Sequence, residues 1–415
     1  MKTFHQKSII VPIVLSILLI GIAFIWFGDP MNFPGNISQN QQENPKTTSP
    51  IPAATPALIP TPEPTPITAT LVSAGDCVLH KDFQQSALIK GEVQYDFDAI
   101  FEAIKPYTEP AHYSLISFES AATNDLDDYT GYPMFNCPPE IFDAFNNVGL
   151  DLVNNSNNHQ LDRRIKGMLE TRDNIRKADM EVLGAYDGEE PRYTIQDLNG
   201  IKVALMAYTY SCNMNENALT TEQQLRHLAL IDEIRMKKEI SEMEGEADIT
   251  VVAMHWGTEY TQKPTDYQKK LARDMINWGA DVILGSHPHV VQPSEMIEVN
   301  GEAKYIIYSM GNFVSNQRRG ASGYPKTHKE LSEDSMLVHL EFVKDPKTQK
   351  TVIQKVDHIP TWLWRYSQDG TYQFRVIPVP ALDYYKNGEY PKEVLAEAYE
   401  SYKRTMKLVT DYKRQ

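Results

Sequence analysis

Residues 249–289, ITVVAMHWGTEYTQKPTDYQKKLARDMINWGADVILGSHPH, carry the pattern that sets the fold class. Residues 249–253 form a short apolar and β-branched run, residues 266–278 follow a helical pattern, and residues 282–284 are again apolar. Strand, helix, strand in that order predicts parallel strands with a helix packed on the sheet face. His255 follows the first strand, and His287 and His289 follow the second. Pro288 stiffens an extended segment, so one short loop aims two imidazoles.

The same alternation extends upstream. Strands are expected at residues 69–74, 113–118, 150–153 and 181–184, with helices around Phe97–Ile104, from Pro138 through Phe145, and over 163–178. Residues 193–197 should pair with 201–209 across Asn199-Gly200, a strong hairpin signal, so the sheet is mixed. A long polar helix is expected within 220–243, and a further strand at 305–309. Beyond 335 the pattern changes to antiparallel strands at 336–343, 352–358 and 374–379, then a terminal helix over 392–412. We read residues 335–415 as an extension of the domain spanning 69–334.

The first residues are of another kind. Residues 1–8 carry Lys2 and Lys7; residues 9–27 (IIVPIVLSILLIGIAFIWF) are an uncharged apolar run, long enough for a helix to cross a bilayer. No Lys or Arg follows until Lys46, so the positive-inside bias puts the N-terminus in the cytoplasm and the rest of the chain outside a cell membrane. A cleaved signal peptide is the competing reading, but the apolar run is longer than a usual signal core and no small-x-small site follows. Residues 28–68 are rich in Pro and Thr and read as an extended, disordered stalk.

Composition narrows the function. The 415 residues carry a formal net charge of -15, with no basic stripe to neutralise phosphates, which argues against nucleic acid. Three cysteines, Cys77, Cys137 and Cys212, cannot form a disulfide framework and read as small buried hydrophobes.

Chemistry-bearing residues fall just after the expected strands: Asp76, Glu119, Asn158-His159, His255, and His287 with His289. Taken alone, an Asp or Glu after a strand is more often a helix cap, and Asn157-Asn158 more often a turn. Together they form a set, because the carboxyl edge of a parallel sheet is where ligands bind. Imidazole with carboxylate and amide oxygen suits zinc, manganese or iron. One bridging carboxylate can hold two such ions, about 3.5–4 Å apart, to activate a water. His159 then has the place of a general acid, with Asp162 near enough in sequence to orient it.

Six ordered motifs, Gly75-Asp76, Ser117-Phe118-Glu119, Asn157-Asn158-His159, His255-Trp256-Gly257-x-Glu259-Tyr260, Gly285-x-His287-Pro288-His289 and Gly311-Asn312-Phe313, resemble the CapA family of bacterial capsule-synthesis proteins, associated with poly-γ-glutamate. The resemblance implies a branch of the calcineurin-like metallophosphoesterases and a four-layer αββα sandwich with mixed sheets. It implies that Asp76 and His289 serve one metal, Asn158, His255 and His287 the other, and that Glu119 bridges. Val78 stands where that superfamily places a histidine; His80 lies nearby at a different spacing.

Two functions are expected on this basis. The first is a metal-dependent hydrolase or transferase acting on a cell-surface polymer or its precursor, with Glu259 or Tyr260 touching substrate. The second is a non-catalytic assembly or export factor of the capsule machinery. Membrane-embedded capsule-synthesis subunits are implied partners of either.

Overall fold

The computed structural model describes residues 64–318, 331–379 and 390–410. The expected anchor at 9–27, and the stalk up to residue 63, lie outside the described residues. Among the described residues no helix is long and apolar enough to cross a membrane.

In the first sheet β1 (Ile67–Cys77), β2 (Tyr113–Phe118), β3 (Leu152–Asn154) and β4 (Glu181–Leu183) run parallel. The second sheet begins with the hairpin of β5 (Tyr193–Leu198) and β6 (Ile201–Thr209), closed by Asn199 at φ 54° and Gly200 at φ 89°. Parallel to β6 come β7 (Ile249–His255) and β8 (Val282–Ser286), and the edge is a second hairpin, β9 (Ser294–Val299) with β10 (Glu302–Ile307). The strand order is β5-β6-β7-β8-β10-β9.

The chain then returns to the first sheet. β11 (Asn312–Val314) pairs with the end of β1, and β12 (Asp334–Lys344), β13 (Thr351–Gln368) and β14 (Thr371–Pro378) extend that sheet antiparallel, in the order β14-β13-β12-β1-β2-β3-β4. β12 pairs directly with β1, which begins two residues before the expected strand because Ile67 and Thr68 pair with Lys344 and Val343.

Side chains alternate between the two faces of each strand, and here both faces are covered. Along β7, Ile249, Val251 and Ala253 join β1 residues Ala69 and Leu71 in a core between the sheets. Val252 and Met254 face outward, against the helices Glu233–Glu246 and Asp266–Asn277. On the first sheet, Val72 and Ala74 face Phe101, Phe142 and Phe145 of its own helical layer. The layers are therefore helix, sheet, sheet, helix.

The long helix expected within 220–243 is two helices, Thr221–His227 and Glu233–Glu246. Leu228 and Ala229 are buried, and the segment between the helices bridges Ala185 and Thr209. Burial of those two side chains and the bonding of their backbone outweigh helix propensity. The helix expected around Phe97–Ile104 is likewise broken into short turns, with α-helix at Asp98–Phe101 and 3-10 helix at Glu102–Ile104.

Candidate metal centre

The two sheets deliver different chemistry to one edge. From the first come Asp76, the penultimate residue of β1, Glu119 just after β2, and Asn158 and His159 after β3. From the second come His255, the last residue of β7, and His287 and His289 just beyond β8. All seven are buried. Two glycines allow the close approach: a Cβ on Gly75 would lie 2.3 Å from the Gly311 carbonyl oxygen, and one on Gly285 would lie 2.0 Å from that of Tyr308.

Glu119 is the hub. Its Oε1 lies 3.9 Å from Nε2 of His159, of His255 and of His289. Ligand atoms of Glu119, His287 and His289 lie within 4.8 Å of one another, as do those of Asp76, Glu119 and His255. Both trios share Glu119, but each takes one residue from each of the sets that the family resemblance implies.

Hydrogen bonds fix which imidazole nitrogen is bare. The Ser286 hydroxyl donates to the Met254 carbonyl at 3.3 Å, so toward His255 Nδ1, 3.0 Å away, it must accept. His255 thus carries its proton on Nδ1, and its Nε2 lone pair faces the Asn158 Oδ1, another acceptor, at 2.9 Å. Asn312 donates its amide to Gln317 and Ser332, so its Oδ1 accepts from His289 Nδ1 at 2.9 Å. His159 Nδ1 lies 2.7 Å from Asp162 Oδ2, which leaves its Nε2 toward Glu119.

Among the described residues several buried polar atoms of the centre have no hydrogen-bond partner: both Glu119 oxygens, Asp76 Oδ1 and His287 Nδ1. Buried polar atoms without partners cost about 1–3 kcal/mol each, and facing lone pairs repel. A cation among them would answer both, so the donor set fits a divalent metal.

Electrostatics agree. Burial pushes the Asp76 carboxyl up to about 7 and Glu119 well above the carboxylate range, the latter helped by the neighbouring Asp76 charge. Burial likewise holds His255 and His287 well below the usual imidazole value, and His289 down to about 3. Acids and bases alike are driven toward neutrality.

The backbone is strained here as well. Asn199, Asn300 and Asp369 have positive φ in ordinary turns before glycine. Around the centre His287 (93°), His289 (57°), Tyr260 (57°), Asn213 (53°) and Met214 (63°) adopt it without that reason. Such residues cost about 1–3 kcal/mol each and cluster at functional sites.

Of the other residues singled out in the sequence, Tyr260 puts its ring 5.6 Å from that of His289, and Glu259 is exposed at the rim. Val78 is buried, its amide donating to the Val314 carbonyl. His80 belongs to neither trio; its Nδ1 accepts from the Asn316 amide and its ring packs edge-on against Phe135. Reading the sequence missed the parts played by Ser286, Asn213 and Tyr210. Ser286 stands beside His287, where adjacency was a usable signal; Asn213 and Tyr210 carry none, since they arrive from the end of β6.

Residues 70–317 match the family model described as "Bacterial capsule synthesis protein PGA_cap". The chain belongs to that family. A capsule biosynthesis protein CapA from Bacillus anthracis is 31% identical over 235 residues, 54% of this chain and 55% of that one. A PGA biosynthesis protein CapA from Bacillus subtilis (strain 168) is 27% identical over 300 residues, 67% of this chain and 76% of that one. The chain thus matches about half the length of the first relative and three quarters of the second. Among solved structures, a calcineurin-like phosphoesterase from Bacillus subtilis superposes with a TM-score of 0.41 at 13% identity, covering 83% of this chain and 99% of that one. Likeness of that degree says nothing about the chemistry of this member of the capsule synthesis family.

Proposed function

We propose that this capsule synthesis family member is a divalent-metal-dependent hydrolase or transferase that helps build an anionic surface polymer of the poly-γ-glutamate type. Residues 9–27 would hold it at the outer face of the bacterial membrane. The observation that carries the reading is the ring of imidazole nitrogens, those of His255 and His289 bare, each 3.9 Å from Glu119 Oε1, around a carboxylate with no hydrogen-bond partner among the described residues.

In this reading Asp76, Glu119, Asn158, His255, His287 and His289 hold one or two ions of manganese, zinc or iron. A bound divalent cation supplies Lewis acidity at the bond under attack and lowers the pKa of water. His159, its Nδ1 tied to Asp162, presents Nε2 to the site and, when protonated there, would pass that proton to the leaving group. Asp162 is itself held by the Phe135 amide at 2.6 Å, so the imidazole cannot swing. Tyr260 and the exposed Glu259 contact substrate at the rim. The net charge of -15 repels a polyanion at long range, and the cation reverses that field locally.

The test is metal content of the full chain, purified in detergent, beside a His255→Ala, His287→Ala variant. Wild-type protein that takes up no manganese, zinc or iron defeats the reading. Metal-loaded protein should turn over model phosphodiesters or γ-glutamyl amides, and His159→Ala should slow it by about 10²–10⁴-fold.

A second reading, a non-catalytic assembly or export factor working with membrane-embedded subunits, is favoured by one observation. The buried Val78 occupies the position where the wider superfamily has a histidine, and His80 is bonded away from both trios. Metal uptake without turnover of any such substrate would select it.

A further inference from the structure

The loop after β6 reaches across from the second sheet to the amide ligand of the first. Asn213 Oδ1 accepts from Asn158 Nδ2 at 3.2 Å, and Asn213 Nδ2 lies 3.4 Å from His159 Nδ1. An asparagine side chain offers two faces, an oxygen acceptor and an NH₂ donor. By taking the NH₂ of Asn158, Asn213 leaves Asn158 Oδ1 turned toward the bare His255 Nε2, 2.9 Å away. Rotated the other way, Asn158 would point donors at the cluster and could not ligate a cation.

The loop is built to hold that asparagine. Glu216 accepts from the Ser211 hydroxyl at 2.8 Å and from the Cys212 amide at 3.0 Å. Asn213 sits at φ 53°, a conformation asparagine tolerates better than most residues. Tyr210, at the other end of the loop, places its ring 4.6 Å from that of His287.

We propose that Asn213 is a positioning residue for the metal centre, fixing the amide of Asn158 with its oxygen toward the cation. This rests on the metal-centre reading above. It makes Asn213 the partner that orients a ligand, a role that metal sites commonly give to a hydrogen bond behind the ligand itself.

The experiment is calorimetric titration of the detergent-solubilised full chain with MnCl₂, for wild type, Asn213→Gly and Asn213→Asp. Glycine keeps the left-handed backbone and removes the side chain; aspartate keeps the acceptor oxygen. The glycine variant should bind manganese about 10–100-fold more weakly, and the aspartate variant at least as tightly as wild type. Thermal midpoints without metal should coincide, which a merely structural role would not give. Equal affinity of glycine variant and wild type, or loss in both variants, overturns the proposal and leaves the metal centre standing. Wild-type protein that binds no manganese, zinc or iron removes both.

Discussion

The two sheets meet at one edge but equip it differently. The first brings oxygen ligands, Asp76, Glu119 and Asn158, and leaves three of the four carboxylate oxygens without a hydrogen-bond partner among the described residues. The second brings imidazoles, and behind His255 a hydroxyl accepts the far N–H, as an amide oxygen does behind His289. One side is under-satisfied and the other is preorganised. The difference teaches how such a centre is poised: the histidines fix its geometry, and the carboxylates supply an unmet demand for positive charge. The second sheet brings no oxygen ligand, and the first brings one imidazole, His159, outside the proposed ligand set.

Substitutions on either sheet test this division of labour. The largest effect is expected from His255→Ala with His287→Ala, which should abolish metal uptake, read by elemental analysis of the purified chain. Retained metal would mean that the oxygen ligands with His289 suffice.

Glu119→Gln comes next. The carboxyl is already driven toward neutrality by burial, so the neutral isostere should leave metal-free stability within about 1 kcal/mol of wild type. Manganese affinity should fall beyond the roughly 10–100-fold typical of an outer partner. A stability loss as large as a cavity mutant's would show that Glu119 serves packing.

Asn312→Leu removes the acceptor behind His289 and should cost about 10–100-fold in manganese affinity, measured by calorimetry. An unchanged value would mean that preorganisation of the imidazole side is unimportant.

The smallest effect lies away from the centre. His358 on β13 bonds the Tyr305 hydroxyl at 2.8 Å, and burial lowers it to about 4, below its unfolded value of 6.5. Between those values the unfolded chain binds more protons, so stability is full above about 6.5 and declines as pH falls toward 4. After allowance for partial exposure the decline is about 1–2 kcal/mol. Urea midpoints over pH 4–7 should show it, and His358→Gln should flatten the slope; an equal slope would show that His358 does not carry the pH dependence.

How much of this was legible in the sequence depended on range. β2, β7 and β8 could be read because they are buried on both faces and so appear as unbroken apolar runs. The β5-β6 hairpin was legible because Asn199-Gly200 encodes its turn locally. Asp76, Glu119, Asn158, His255, His287 and His289 could be nominated because strand-end position is itself a local property. β9 and β11 were not foreseen; β11 has three residues and exists only through its pairing with β1.

By itself, then, the sequence determined the βα rhythm, the apolar segment at 9–27 and the ligand types waiting at the strand ends. Only the tertiary structure decided that the strands divide between two sheets, with β12 returning beside β1, and that Asn312, Ser286 and Asn213 stand behind the ligands. The physical reason is distance along the chain. Periodicity and turn chemistry act over a few residues, whereas Asn158 and Asn213, or Asp76 and the His287 amide, meet only when both sheets have closed on their shared core.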